Sequence, residues 1–238
     1  MSLKLLILRP LDGAKQTEQR ARKRGLDAVI DPLFVIEPVA WTAPEAGNFD
    51  ALLLTSANAV RCGGAALETY RSLPVLAVGE KTAAAAMEAG FHVEKTGSSC
   101  ARDLLHQLEG AAYHRILWLA GKQHTDLPAV AQQLTIVPVY QSRAMPLGQQ
   151  AQACLAEESI ILLHSARSAQ HFVAELDRLG LPKNRQHLLA FSAKVAKAAG
   201  PGWKSVQSAD HPDDDALLAL ASALCQGIER IGSVERPH

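Results

Sequence analysis

Two hydroxyl-rich turns stand at the ends of apolar runs. Leu52-Leu53-Leu54 leads into Thr55-Ser56-Ala57-Asn58, and 109 residues further on Ile161-Leu162-Leu163 leads into His164-Ser165-Ala166-Arg167-Ser168. An unbroken apolar run of this length suits a strand buried on both faces of a parallel sheet. In open α/β sheets, ligands bind outside the carboxyl ends of such strands. A hydroxyl there caps the following helix, and the free backbone N–H groups beside it can hold an anion. The simpler reading is a cap with no ligand. Repetition of the turn favours the functional one, because both copies would face a common cleft. Gly79-Glu80-Lys81-Thr82 is a third turn of the same kind. It is not a phosphate loop, since neither Gly79-Glu80-Lys81 nor Gly121-Lys122 has the Gly-x-x-x-x-Gly-Lys-Ser/Thr spacing. There is no Gly-x-Gly-x-x-Gly fingerprint and no Gly-x-Ser-x-Gly elbow. His164 and Ser165, as sequence neighbours, do not make a catalytic pair, and His164 reads as a strand-end residue.

Basic residues recur at the same kind of position: Arg9, Arg61, Lys81, Lys122, Arg143, Arg167 and Lys194. Collected in one cleft they would form a locally positive pocket suited to a polycarboxylate or a phosphate. Individually each also reads as solvated surface charge. Tyr140 lies in an apolar segment that breaks the strand–helix rhythm. Its phenol can donate a proton or a hydrogen bond in catalysis, or simply pack on a sheet. The nine histidines are scattered, with no His-Glu-x-x-His and no close His/Cys cluster, so no metal is expected.

The elements that must carry these residues follow from periodicity. The chain is written twice: besides the two turns, Leu5-Leu6-Ile7-Leu8-Arg9 resembles Arg115-Ile116-Leu117-Trp118-Leu119, and 75–83 resembles 187–195. A long internal repeat predicts two similar domains. Strands are expected at 3–8, 28–30, 51–55, 75–78, 91–94, 115–119, 135–139, 160–163, 188–191 and 204–206. Helices are expected at 14–24, from 57, at 80–89, 100–108, 127–134, 167–179, 193–199 and 213–225. The alternation predicts an α/β fold with two similar domains, each a parallel sheet flanked by helices. Segments 32–38 and 136–142 have no helix after them and read as crossing strands, a two-stranded linker near 33–38 and 137–142. Domain one is then 1–35 plus 143–238, domain two 36–142, and the tail from 232 to 238 is expected to fray.

Composition sets outer bounds. Of 238 residues 48% are hydrophobic and 20% charged, ordinary for a soluble enzyme. Lys and Arg total 24, as do Asp and Glu, so no global field favours nucleic acid. Cys62, Cys100, Cys154 and Cys225 form no Cys-x-x-Cys pair and read as buried, reduced thiols. The apolar run after Lys4 is too short for a signal-peptide core, and no run reaches the roughly 18 residues of a membrane span. A cytoplasmic location is expected.

Taken in order, Arg9-Pro10, Pro32-Leu33, Thr55-Ser56-Ala57-Asn58-Ala59-Val60, Ala77-Val78-Gly79-Glu80-Lys81-Thr82-Ala83, Val139-Tyr140 and Ser165-Ala166-Arg167-Ser168 resemble the uroporphyrinogen-III synthase family along nearly the whole chain. The resemblance implies a cofactor-free, metal-free hydro-lyase of tetrapyrrole (haem) biosynthesis. Such an enzyme takes linear hydroxymethylbilane, removes water, inverts ring D and closes uroporphyrinogen III. It implies Tyr140 as the catalytic residue, and binding positions at Arg9, Thr55, Ser56, Asn58, Arg61, Gly79, Lys81, Thr82, Ser165, Arg167, Ser168 and Ser192. Leu119-Ala120-Gly121 departs from the arginine that many members carry before the glycine, and Ser192-Ala193-Lys194 from their hydroxyl residues. The expected partners are the bilane and a transient contact with the preceding pathway enzyme, for a monomer that binds neither nucleic acid nor membrane. An amino-acid racemase would need a thiol at each strand end, where Thr55-Ser56 and His164-Ser165 stand instead. A non-catalytic two-domain binding protein for a small anion is the remaining alternative.

Overall fold

The apolar runs at 5–7, 51–54, 116–120, 160–163 and 188–190 are strands whose side chains are almost entirely removed from solvent. In a computed structural model, which describes residues 3–234 except 99, 109, 111, 126, 128 and 129, with side chains to 227, the elements alternate along the chain. They begin with β1 (Lys4–Ile7), α1 (Leu11–Lys23), β2 (Ala28–Ile30) and β3 (Phe34–Pro38). There follow β4 (Ala51–Leu54), α2 (Ala57–Cys62), β5 (Val75–Val78), α3 (Glu80–Glu88), β6 (Val93–Gly97) and α4 (Ala101–His106). Next come β7 (Arg115–Gly121), β8 (Gln133–Ala144), α5 (Gln149–Ala156), β9 (Ser159–Leu163) and α6 (Ala166–Leu179). The chain continues through β10 (His187–Ala190), α7 (Ala193–Ala199), β11 (Ser205–Ser208) and α8 (Asp214–Val234).

The chain divides into two compact units, 1–35 with 144–238, and 36–143. Unit one holds a five-stranded sheet in the order β11-β10-β9-β1-β2, all neighbours parallel. Alternate residues along β1 and just past it face opposite cores. Leu6, with Leu8 after the strand, joins α5, α6 and α7 on one face, and Leu5 and Ile7 join α1 and α8 on the other. Unit two holds a sheet in the order β3-β8-β7-β4-β5-β6, with β8, β7, β4, β5 and β6 parallel to their neighbours. There Leu52 and Leu54 pack against α2 and α3, while Ala51 and Leu53 pack against α4. The expected parallel sheets flanked by helices are thus present, and the order β2-β1-β9-β10-β11 is matched by β8-β7-β4-β5-β6.

Three local expectations change. The helix expected over 127–134 is absent from its described residues. Gln133 and Leu134 instead pair with Arg115 and Ile116 as the start of β8, and residues 128 and 129 lie outside the described residues. The apolar stripe that suggested it is real, since Leu127, Val130 and Leu134 all pack against the core beside Trp118. They do so from a loop and a strand, where ladder hydrogen bonds take precedence over spacing. Second, α5 fills a stretch with no expected element. Third, of the four cysteines, all free, Cys154 and Cys225 are buried, Cys62 is half-buried and Cys100 is exposed at the start of α4. Residues 232–234 close α8, and 235–238 of the expected frayed tail lie outside the described residues. Among the described residues no helix is long and apolar enough to cross a membrane.

Candidate functional site

In each sheet the chain reverses direction of growth at one point, where the carboxyl ends of two non-consecutive strands lie side by side. Such a switch point leaves a crevice for a ligand. In unit two it falls between β4 and β7, in register through Leu54 and Leu119. Thr55 and Ser56 follow β4. Trp118 Nε1–H donates to Thr55 Oγ1 at 3.2 Å, leaving the threonine O–H to be donated elsewhere. Ser56 Oγ accepts the Asn58 N–H at 3.2 Å as N-cap of α2. Asn58 is half-buried and Arg61 is exposed. At the end of β5, Gly79 opens α3 with φ +83, a conformation open to glycine at no steric cost, and its carbonyl accepts the N–H of Thr82 at 3.0 Å. Lys81 is exposed. Thr82, expected as a binding hydroxyl, is only 5% exposed, which sets its side chain in the wall of the unit rather than on its surface.

Past β7, Lys122 N–H donates to the Tyr140 carbonyl at 2.7 Å, so the exposed lysine is tied to the backbone of the half-buried tyrosine on β8. Lys122 also lines a pocket of about 370 Å³ with Val39, Ala40, Trp41, Thr42, Val137 and Pro138. Arg143 donates from Nε to Glu37 Oε2 at 2.9 Å, and Gln141 Nε2 donates to Glu37 Oε1 at 2.8 Å. Arg143 holds the Glu37 carboxyl below its usual range.

In unit one the switch point falls between β1 and β9, in register through Ile7 and Leu162, and it brings Arg9 and His164 to one edge. Arg9 Nη1 donates to both oxygens of Asp214, at 2.7 and 2.8 Å. Asp214 also accepts from Thr17 Oγ1 at 2.9 Å and from His164 Nε2 at 3.1 Å. The His164 and Asp214 side chains are 8% and 9% exposed. Burial pushes the His164 pKa below 6.5, so its ring is neutral and the proton on Nε2 points at Asp214. Burial alone would raise the Asp214 carboxyl, but the His164 hydrogen bond, the Arg9 charge and Thr17 outweigh it and hold it at about 2. Arg9, expected as a substrate anchor, is therefore already neutralised by an internal carboxylate, and an incoming carboxylate would have to compete with Asp214.

Ser165 caps α6, accepting the Ser168 N–H at 3.0 Å and donating to Ser168 Oγ at 2.8 Å. Ser165 is exposed and Ser168 is buried. Arg167 lays its guanidinium over the Phe34 ring at 4.3 Å, a cation–π contact that aims an exposed cation. Ser192 caps α7, and Lys194 beyond it is exposed. The topology thus brings Thr55, Ser56, Lys122 and Tyr140 to one edge, and Arg9, His164, Ser165 and Arg167 to another. Thr17 and Asp214 went unnoticed in the sequence. The available signal was Arg9 itself, a cation at the mouth of a buried run and hence in need of a partner for its charge.

Comparison with known proteins agrees with this architecture. A family model described as uroporphyrinogen-III synthase HemD matches residues 15–219. No curated protein is similar enough to match. Among solved structures, the chain resembles the uroporphyrinogen-III synthetase of Helicobacter pylori at 17% identity and a TM-score of 0.62, with 94% of this chain and 100% of that one covered. It also resembles a mutant uroporphyrinogen III synthase of the extreme thermophile Thermus thermophilus at 18% identity and a TM-score of 0.50, with 98% and 100% covered. At such identities the solved structures speak for the fold, and the family model speaks for membership. The chain belongs to the uroporphyrinogen-III synthase family.

Proposed function

We propose that this chain carries out its family's lyase reaction on hydroxymethylbilane with Tyr140 at the reacting centre. The bilane loses its ring A hydroxyl as water when a proton reaches that oxygen and the C–O bond breaks, leaving a cationic azafulvene. Ring D must then attack through its substituted carbon, so that closure follows inversion. Because the bilane also closes unaided to the wrong isomer, the protein's task is to orient ring D more than to supply a strong nucleophile. A half-buried phenol on β8, opposite the last residue of β7 beside the switch point of unit two, is the observation that carries the reading: it can give its proton, or a hydrogen bond, to the leaving hydroxyl.

Acetate and propionate groups of the substrate need cations and N–H donors. Lys81, in the first turn of α3, and Lys122, just past β7, are exposed and supply charge in unit two; Gly79, Ser56, Asn58 and Thr55 lie on the same edge, and Arg61 stands in the last turn of α2. Arg167, Ser165, Ser168 and Ser192 are the candidates in unit one, with Arg9 behind them. The same reading takes the chain to be a cytoplasmic monomer that meets the preceding pathway enzyme only transiently. The test supplies hydroxymethylbilane and separates the porphyrin isomers after oxidation. Isomer III should replace isomer I in proportion to protein added, and Tyr140→Phe should lower kcat roughly 100-fold with little change in KM. Persistent isomer I with folded protein would overturn the assignment, and unchanged turnover by the Tyr140→Phe variant would remove Tyr140 from the chemistry.

A further inference from the structure

The seat of Tyr140 is made by a residue with no side chain. Strands β7 and β8 pair regularly up to Ala120 and Pro138, and then the register slips so that Gly121 faces Tyr140, with Val139 left over. Pro138 has no N–H to give to the ladder, and a proline inside a sheet is accommodated at an edge or at a bulge. β3 runs beside β8 only past Pro138, where Val39 N–H donates to the Val139 carbonyl, so the proline faces no strand on that side, and the ladder with β7 bulges just beyond it. A bulge re-aims the side chains around it. Regular alternation would send Val139 and Tyr140 to opposite faces, yet both pack on the core that also holds Leu119 and Val137. The slip thus carries the phenol over the end of β7.

What it lies on there is Gly121. A Cβ at that position would fall 2.7 Å from Tyr140 Cε2, 2.8 Å from Cζ and 3.0 Å from the hydroxyl oxygen. The backbone cannot retreat to make room. Gly121 is buried, its carbonyl accepts from His124 Nδ1 at 2.9 Å, and the next N–H is bonded to the Tyr140 carbonyl at 2.7 Å. His124 is itself braced edge-on against Trp118, with ring centroids 5.3 Å apart. Glycine is not needed here for its dihedral freedom, since Gly121 is outside the left-handed region. Only the space matters.

We infer that Gly121 is a positioning residue for the reaction: its missing side chain, together with the bulge at Pro138, holds the Tyr140 hydroxyl where the leaving group is protonated. The inference rests on the reading of Tyr140 above. In Gly121→Ala the ring must give way, and being half-buried it can swing outward without opening the core. Displacement of a reacting group by about 1 Å costs on the order of 100-fold in rate.

The experiment compares wild type, Gly121→Ala, Tyr140→Ala and the double variant by steady-state formation of isomer III, with the thermal midpoint of each. Gly121→Ala should lose about 100-fold in kcat with KM little changed, and it should lose nothing further in the Tyr140→Ala background, where no ring remains to displace. Should Gly121→Ala unfold, the double variant should regain the midpoint of Tyr140→Ala. Wild-type turnover by Gly121→Ala alongside an impaired Tyr140→Ala protein overturns the inference and leaves the reading of Tyr140 standing. A Gly121→Ala loss that adds in full to that of Tyr140→Ala, or a double variant that also fails to fold, overturns it as well. Wild-type turnover by Tyr140→Ala sinks the underlying reading, and the inference with it.

Discussion

At the scale of single residues, the most constrained group outside the turns is Asp214, which serves Arg9, Thr17 and His164 at once. A buried carboxylate with three donors is strongly favoured in its charged form, and removing it leaves Arg9 and His164 without their partner. Asp214→Asn should therefore cost about 3 kcal/mol of unfolding free energy, measured by urea at neutral pH. The pH dependence has a definite sign. The folded carboxyl titrates at about 2 and the unfolded one at 3.8, so its contribution, on the order of 2 kcal/mol, is complete above 3.8 and disappears as pH falls towards 2. The gap between wild type and Asp214→Asn should narrow over that window. A gap that stays constant down to about pH 2 would mean that the charge of Asp214 contributes nothing. His164 acts earlier and in the same direction. Burial depresses its folded pKa, so the unfolded chain takes up the proton first as pH falls through 6.5, and folding weakens from there.

At the scale of elements, the turns after β4, β9 and β10 begin helices capped by Ser56, Ser165 and Ser192, so the binding role proposed for these residues would share the hydroxyl that caps the helix. They separate by substitution at Ser165. Loss of an N-cap serine costs about 1 kcal/mol in alanine but only a few tenths in glycine. Ser165→Ala should be the less stable of the two by urea denaturation, while both should lose the hydroxyl equally as a contact for substrate. Equal stability of the two variants would show that α6 does not depend on its cap. Most elements were legible because buried parallel strands leave unbroken apolar runs and capped helices leave Ser and Gly at their ends. Helix α7 has the expected bounds, 193–199. The failure at 127–134 has a physical cause: spacing that fits one face of a helix also arises where a loop and a strand happen to touch the same core.

At the scale of the whole molecule, each unit closes its own core on both faces of its own sheet, although unit one is assembled from the two ends of the chain. Phe172 is fully buried in unit one, stacked on Trp203 with ring centroids 6.1 Å apart. Phe172→Ala should cost about 3–5 kcal/mol there. Calorimetry should show unit one melting earlier while the transition of unit two keeps its midpoint, as two separately cored units allow. Movement of the entire heat-absorption profile as one peak would show instead that the two units unfold as one.

The residues alone determined the class of structure, because strand burial, capping and an internal repeat are local signals that recur in order along the chain, and the order of short motifs such as Thr55-Ser56-Ala57-Asn58 and Val139-Tyr140 carried the resemblance to the family. Tertiary structure alone decided which charges meet. Arg9 and Asp214 lie 205 positions apart, and no periodicity links the end of β1 to the start of α8. It also decided where Tyr140 points. Pro138 announces a missing donor, but only the pairing of β7 with β8 turns that into a slip of one residue and lays the phenol on Gly121. Local preferences choose strand or helix; register and long-range packing choose which side chains face one another, and those are set by the whole fold.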